Sequence, residues 1–184
     1  MRSVTGDTID LARRYTLADL DDFPKDGRRY ELADGWLLVS PSARRRHQVG
    51  AWELGNVLAA ACPPHLYAFG VPINVDDPDH THFEPDLTVV RREFALIENG
   101  DLPLLAVEVR SPSTAGRDAV LKRQEYARLG IPSYWLLDVD VPSLRILELH
   151  GSEYVEIAYA EGDVAVSVEL PFPVMVVPAA LLRV

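Results

Sequence analysis

A single cysteine and the lack of any long apolar run are the first features of this 184-residue chain. Cys62 alone cannot form an internal disulfide bond, which fits a reducing compartment. No apolar run reaches the roughly 20 residues of a membrane-spanning helix, and residues 1–7 lack the hydrophobic stretch of a signal peptide. We therefore expect a soluble, cytoplasmic protein with no membrane partner.

The motifs of several common enzyme classes are also missing. There is no Gly-x-x-x-x-Gly-Lys phosphate loop, so an NTPase has no support. There is no Gly-x-Ser-x-Gly nucleophile elbow, and Cys62, next to Pro63-Pro64, carries no pattern of a catalytic thiol. His80 and His82 resemble part of a zinc site, but they follow an acidic loop and lack further ligands, so a surface position is the simpler interpretation.

The chain also lacks an excess of positive charge. The net charge is −10, from 18 Lys and Arg against 28 Asp and Glu, whereas nucleic-acid-binding proteins usually carry a basic face that displaces counterions from phosphates. Net charge does not describe local charge, however, and residues 44–47 and 91–92 are basic runs. These runs fit solvated faces, or else weak or partner-assisted binding of nucleic acid.

The length and the ordinary globular composition predict one domain over residues 1–184. We expect an extended arm at 1–15, a core at about 16–150 and a strand extension at 151–184. The chain contains no internal repeats and no long linker. The order of predicted elements indicates an α/β or α+β fold around a mixed sheet.

Local signals place most elements. Helices are predicted after the N-cap Thr16, from Ser42 to about Ala61, from about 117 to 129 before Gly130, and briefly at 178–182. Asp34-Gly35 predicts a hairpin with a type I′ turn. Strands are predicted at 66–69, 71–75, 83–90, 104–110, 133–138, 144–149, 153–159 and 164–170, with loops or turns at 76–80 and 111–114.

Two carboxylate residues are the strongest candidates for a functional site. Asp86 follows a proline on one apolar run, and Glu108 lies near the end of the next, directly after the apolar residues 104–107. A carboxylate ending a buried strand is costly unless it is paired, protonated or bound to an ion. Mg²⁺ takes one or two carboxylates and keeps several waters. Asp86, Glu108 and a backbone carbonyl such as that of Val109 would meet this demand.

These two residues belong to a longer ordered pattern, which consists of Tyr30-Glu31-Leu32-x-Asp34-Gly35, Arg46-His47, Pro85-Asp86, Glu108-Val109-x-Ser111-Pro112-Ser113-Thr114, Asp118, Lys122, Tyr126 and Gly130-x-x-x-Tyr134-Trp135. The pattern resembles that of the PD-(D/E)XK nuclease superfamily. More narrowly, the chain resembles the Uma family of restriction-endonuclease-like proteins over about residues 16–150.

The resemblance implies a restriction-endonuclease-like core, with a mixed central sheet flanked by helices, and a metal-dependent endonuclease. Asp86 and Glu108 are the implied ligands of Mg²⁺ or Mn²⁺, and DNA is the implied substrate. Position 110 is arginine where the superfamily has lysine, and arginine cannot release a proton. We expect Lys122 to replace that lysine and assist the attacking water. It lies on one stripe of the helix with Tyr126, four residues on.

Each role has a simpler structural alternative. Asp86 and Glu108 would also fit a structural ion-pair network with Arg110 and Lys122. Arg110 would otherwise hold a phosphate, and Tyr126 fits either site support or core packing with a satisfied hydroxyl.

Glu31 and His47 complete the candidate site. Glu31 fits a third acid near the metal or a cross-strand or capping partner, and His47 fits a phosphate or metal contact or a half-buried helical histidine. Cleavage of both strands of a duplex would favour a homodimer. The apolar residues 171–177 fit a dimer contact or core packing. The rival to an enzyme is a catalytically inactive, nuclease-fold binding or regulatory protein.

Overall fold

The computed structural model describes residues 9–69, 75–77, 80–95, 102–110 and 117–183. These residues form three α-helices: α1 (Leu17–Leu20), α2 (Arg45–Ala61) and α3 (Arg117–Leu129). The strands are β1 (Arg29–Ala33), β2 (Trp36–Ser40), β3 (Leu66–Phe69), β4 (Val75–Asp77), β5 (Thr81–Phe83), β6 (Leu87–Arg91), β7 (Leu105–Arg110), β8 (Ser133–Asp138), β9 (Ser143–His150), β10 (Glu153–Glu161), β11 (Val166–Val168) and β12 (Val174–Val176). Short 3-10 helices span Arg92–Phe94 and Pro178–Leu182.

Six strands form the main sheet, in the order β10-β9-β8-β7-β6-β3. β7 and β8 run parallel and the other neighbours in this sheet are antiparallel. α3 joins the two parallel strands, because a parallel pair needs a crossover connection. The small sheet has the order β2-β1-β5-β4, and β11 and β12 form a separate hairpin. This mixed sheet with flanking helices confirms the predicted fold class.

The two faces of the main sheet are covered by different elements. Val107 and Trp135 pack in a cluster with residues of α2 and the β11-β12 hairpin. Their neighbours Ala106 and Tyr134 face the other side and pack with residues of α3 and the small sheet. Burying one large apolar side chain stabilises the fold by about 1.5–3 kcal/mol. Because α3 and the small sheet share a face, their polar residues can meet above it.

α2 approaches the end of β8 closely at Gly50. A Cβ at this position would lie 2.6 Å from Cγ1 of Val139, closer than real Cβ contacts allow. The glycine therefore fixes the distance between α2 and the sheet. His47 lies one turn earlier on the same helix, so this approach also sets the position of its imidazole.

Several local predictions are confirmed. The β1-β2 hairpin turns at Asp34 and Gly35, with φ values of 47° and 76°, as a type I′ turn requires. α1 begins after Thr16, whose backbone N–H and hydroxyl both hydrogen-bond to Asp19. α3 ends before Gly130, which has a φ of 81°.

Other predictions are wrong. α2 begins at Arg45 rather than Ser42, because the Ser42 hydroxyl donates to the carbonyl of Gly27 instead of capping the helix. The predicted strand 83–90 is two strands, because the chain leaves one sheet and enters the other at Pro85. Residues 76–77 lie in β4, where a loop was predicted. The predicted strand residues 71–74 and the turn 111–114 lie outside the described residues.

Described residues near both ends of the chain have buried side chains. Tyr15, placed in an extended arm by the sequence, is buried against Leu32 and Leu37 of the small sheet. Near the other end, Phe172 and alternate residues of β12 are buried in the same cluster as α2. The apolar residues 171–177 therefore contribute to the core, although β12 itself was not predicted as a strand. Of the helices the structure describes, none combines the length and apolar character needed to cross a membrane.

Candidate functional site

Asp86 lies where the chain passes from one sheet to the other. Residues 84–86 connect β5 of the small sheet to β6 of the main sheet, and the proline at their centre cannot donate to a strand ladder. Leu87 pairs with Val107 across the antiparallel strands β6 and β7. Asp86 immediately precedes β6 and Glu108 immediately follows Val107 on β7, so the two residues lie next to the end of this register, and both line one cavity.

The two carboxylate oxygens of Asp86 have different partners. Oδ2 accepts a hydrogen bond from the backbone N–H of Val109 at 2.8 Å and lies 3.2 Å from Nε2 of His47. Oδ1 accepts from Nη2 of Arg29 at 3.0 Å. Burial alone would raise the pKa of Asp86, which is 5 % exposed, but His47, Arg29 and the Val109 N–H together lower it. Asp86 is therefore an ionised carboxylate.

Glu108 is held through one oxygen. Its Oε1 accepts hydrogen bonds from Nζ of Lys122 at 2.9 Å and from the hydroxyl of Tyr126 at 2.8 Å. Within the described ranges, no hydrogen bond ends on Oε2. Burial raises the pKa of Glu108 to about 7, and the nearby carboxylates of Asp86 and Glu31 add to the rise against the opposing charge of Lys122. This raised pKa marks Glu108 as a carboxylate that would gain from a further cation.

Lys122 reaches the carboxylates from α3, as the sequence predicts. It is 6 % exposed, and its Nζ also lies 2.7 Å from Oε1 of Glu31. Burial lowers the pKa of Lys122, but Glu108 and Glu31 outweigh that effect and raise it. Glu31 is itself 1 % exposed and accepts the backbone N–H of Glu84 at 2.9 Å. The ammonium group therefore stays charged between two carboxylates.

Arg29 forms the salt bridge to Asp86, and this residue was not among those predicted from the sequence. Its Nη1 donates to the carbonyl of Glu84 at 2.9 Å, and its Nε lies 3.6 Å from the Glu84 carboxylate. Burial would lower the pKa of Arg29, but Asp86, Glu31 and Glu108 raise it. One sequence signal pointed to this residue: Arg29 and Glu31 are two apart on β1, so they share a face of the strand.

Arg110 pairs with Asp138 and not with Asp86 or Glu108, as the structural ion-pair network would require. Its guanidinium lies 3.9 Å from Oδ2 of Asp138 and is 37 % exposed. In the part of the chain that the structure describes, Asp86 pairs with Arg29 and His47, and Glu108 pairs with Lys122. The network that includes Arg110 is therefore wrong, whereas Lys122 does pair with Glu108.

Tyr126 and His47 each support one carboxylate. Tyr126 is fully buried and packs edge-on against the rings of Phe83 and Tyr134, so its hydroxyl is held against Glu108. His47 is half-buried and directs Nε2 to Asp86. Among the described residues, the buried Nδ1 of His47 and the hydroxyl of Tyr134 have no hydrogen-bond partner. Asp118 belongs to α3, one turn before Lys122.

These groups line one cavity of about 520 Å³. Its wall contains five Arg and Lys residues and four Asp and Glu residues, so its charge is nearly balanced although the whole chain carries −10. The charged lining residues are Arg28, Arg29, Glu31, Arg44, Glu84, Asp86, Glu108, Arg110 and Lys122. The cavity can therefore accept a phosphate more readily than the net charge indicates.

The donor set fits a hard divalent cation. The described ranges contain no group of three or more His, Cys, Asp and Glu side chains arranged to hold a metal. Mg²⁺ does not need such a group, because it usually takes one or two carboxylates and completes its shell with water. Asp86 and Glu108 supply carboxylate oxygens to the same cavity, and carboxylate oxygens suit Mg²⁺ and Mn²⁺.

A family of known proteins matches most of this chain. The family model Uma2, described as "Putative restriction endonuclease", matches residues 17–181. The match includes the strands after residue 150, which lie beyond the predicted core of about residues 16–150.

A solved structure from Anabaena variabilis ATCC 29413, described as a putative nuclease belonging to DUF820, is similar to this chain. It shares 19 % sequence identity, covers 84 % of this chain and 89 % of its own, and gives a TM-score of 0.64. At this identity the likeness establishes a common fold. No curated protein sequence matches the chain.

Proposed function

The chain belongs to the Uma2 family, and from this premise we propose that it is an endonuclease that hydrolyses phosphodiester bonds of DNA with Mg²⁺ or Mn²⁺. Restriction-endonuclease-like families generally use divalent metal ions. The observation that supports the proposal best is the convergence of three groups in one cavity. Asp86 and Glu108 both line this cavity, and Nζ of Lys122 lies 2.9 Å from Oε1 of Glu108.

Asp86 and Glu108 would hold the ion. When bound, a divalent ion polarises a phosphoryl oxygen and lowers the pKa of a water. Lys122 would orient the attacking water and hold Glu108 in place. It does not serve as the general base, because its pKa is raised and the ammonium group keeps its proton.

The supporting residues act on these three groups. Tyr126 fixes Oε1 of Glu108, Glu31 fixes the ammonium group of Lys122, and His47 fixes Oδ2 of Asp86. Arg110 is more than a third exposed on the cavity wall, and its guanidinium would bind a phosphate of the substrate. This arrangement would let the chain bind a phosphodiester despite its acidic surface.

Two such sites would favour cleavage of both strands of a duplex, so we propose a homodimer as the active form. Light scattering coupled to size-exclusion chromatography measures this directly. A mass near 41 kDa would support a dimer, since one chain has a mass of 20.5 kDa. A mass of one chain, in the presence and absence of duplex DNA, would contradict it.

The test of the enzyme is cleavage of plasmid and short duplex DNA in Mg²⁺ or Mn²⁺ by the wild type, Asp86→Ala, Glu108→Gln and a control. Glu153→Ala is a suitable control, because it removes an exposed acid on β10 far along the chain from the site. We expect cleavage by the wild type and the control and none by the two site variants. Metal-dependent cleavage by a folded, pure Asp86→Ala protein would refute the proposed mechanism.

A second candidate is a nuclease-fold protein that binds nucleic acid or a partner without cutting. Two observations favour it: Arg29 already neutralises Asp86, and position 110 is arginine. Calorimetric titration with Mg²⁺ and Mn²⁺ separates the candidates. Absence of binding at millimolar metal would favour the non-catalytic protein, and binding lost in Asp86→Ala would favour the enzyme.

A further inference from the structure

The oxygens of Asp86 are not equally available to a ligand. Oδ2 is held by a backbone N–H of β7 and by His47 of α2, both carried by packed elements of the main core. Oδ1 is held by Arg29, a long side chain on the wall of the cavity. A cation that binds Asp86 therefore reaches it most easily at Oδ1, where it meets the guanidinium of Arg29.

The charges at the base of the cavity also indicate that a bound cation would compete with Arg29. Arg29 contacts the carboxylates of Asp86 and Glu84, and Lys122 contacts those of Glu31 and Glu108. A divalent ion on Asp86 and Glu108 would replace Arg29 as the cation of Asp86 and leave Arg29 with the partly exposed Glu84 alone. Retaining the guanidinium beside the ion would instead place two cations next to each other in a partly buried site, which is repulsive.

Arg29 has another acceptor available once it leaves Asp86. Its side chain is 24 % exposed and lines the same cavity, so it can turn towards a bound anion by giving up Asp86 and its contacts with Glu84. A guanidinium binds phosphate with two parallel hydrogen bonds, and it is always charged. A phosphodiester in the cavity would compete with Asp86 for this group.

We propose that Arg29 is a mobile counter-ion, which competes with the divalent ion for Oδ1 of Asp86 and transfers to the substrate phosphate. This inference rests on the proposed function. Its consequence is cooperativity: a phosphodiester that draws Arg29 away strengthens metal binding, and the metal strengthens phosphodiester binding by the same factor. The site is then fully assembled when both ligands are present.

Calorimetric titration with Mn²⁺ tests this proposal, with and without dimethyl phosphate as a phosphodiester probe. Arg29→Met removes the competing charge, and Arg145→Met is the matched control, since it removes the same charge from an exposed position outside the cavity. Arg145 pairs with the exposed Glu156 of β10 rather than with Asp86. Arg29→Gln serves the same purpose if Arg29→Met does not fold, because the amide keeps a donor for the Glu84 carbonyl.

We expect Arg29→Met to bind Mn²⁺ about 5- to 150-fold more tightly than the wild type, the usual range of coupling between two sites. Arg145→Met should stay within about twofold of the wild type, because an exposed charge is largely screened. Dimethyl phosphate should tighten Mn²⁺ binding in the wild type and in Arg145→Met but not in Arg29→Met. Unchanged or weaker Mn²⁺ binding by Arg29→Met would overturn the proposal.

Asp86→Ala separates this failure from failure of the proposed function. If Asp86→Ala binds Mn²⁺ as tightly as the wild type, the metal site is elsewhere and both proposals fail. If Asp86→Ala loses Mn²⁺ binding while Arg29→Met matches the wild type, the metal site stands and only the role of Arg29 is refuted.

Discussion

Replacing Lys122 with methionine perturbs the ion-pair network that holds the candidate site together. Lys122 is buried, and its ammonium group donates to both Glu31 and Glu108. Methionine keeps an unbranched chain that fills a similar space, but it removes the charge. Both carboxylates then lose their shared cation. Removing one partner of a buried ion pair typically destabilises a protein by about 3–5 kcal/mol.

The structure places Lys122→Met near the lower end of this range. Glu31 keeps the backbone N–H of Glu84, and Glu108 keeps the hydroxyl of Tyr126, so each orphaned carboxylate retains one donor. Glu108 also has a pKa raised to about 7, so taking up a proton there costs little at neutral pH. We therefore expect the free energy of unfolding to fall by about 3 kcal/mol.

Urea unfolding at neutral pH, followed by tryptophan fluorescence, measures this loss. Arg123→Met is the matched control on the same helix, because Arg123 is exposed and bonds only the carbonyl of Tyr154 among described residues. Its unfolding free energy should change by less than about 1 kcal/mol. Adding Glu31→Gln to Lys122→Met removes one orphaned charge and should recover about 1–3 kcal/mol. A loss below about 1 kcal/mol in Lys122→Met, as for a surface pair, would refute the buried network.

Three further substitutions test the packing around the site. Gly50→Ala should destabilise the protein by about 1–3 kcal/mol in urea unfolding, because the new Cβ would lie 2.6 Å from Cγ1 of Val139. Adding Val139→Ala should recover part of this stability. A Gly50→Ala protein more stable than the wild type would contradict the close approach. Burial raises the pKa of Tyr154, whose hydroxyl donates to the Ile131 carbonyl, so its contribution is complete below the unfolded pKa of about 10 and is lost above it. Tyr154→Phe should therefore show a shallower fall of stability above about pH 10, and equal slopes would exclude this role. Tyr134→Phe removes a buried hydroxyl that has no partner among the described residues and should change stability by less than about 1 kcal/mol, whereas a loss above about 2 kcal/mol would reveal a partner.

The site could be predicted from the sequence as far as its spacing follows local periodicity. Glu108 lies in a strand read from its apolar run, and Lys122 and Tyr126 lie on one stripe of a helix read from its period and its terminal glycine. The crossover from β7 to β8 then places α3 over the face that carries Glu108. These relations need no knowledge of distant contacts.

Arg29 could not be predicted because its role depends on the pairing of the two sheets. Alternation places Arg29 and Glu31 on one face of β1, but it does not say what that face meets. The meeting with Asp86 follows from β5, which pairs with β1 and leads through residues 84–86 into β6. The continuous apolar run 83–90 hid this change of sheet, and Pro85 was its one local sign.

The β11-β12 hairpin and the start of α2 were misjudged for related reasons. β12 is short and lies between prolines, so its alternation is visible only against the core that α2 provides. Ser42 has the chemistry of a helix cap, but its hydroxyl finds the Gly27 carbonyl in a distant loop. In both cases the local sequence allows more than one backbone conformation, and a contact with a distant part of the chain selects the observed one.

The central claim, that Asp86 and Glu108 hold one divalent ion, is tested most directly by an anomalous-diffraction measurement on crystals grown with Mn²⁺. We predict one strong anomalous peak at a coordination distance of about 2 Å from an oxygen of each carboxylate, with the Arg29 guanidinium moved away from Asp86. A map without a peak between these carboxylates, in crystals that bind Mn²⁺ elsewhere, would contradict it.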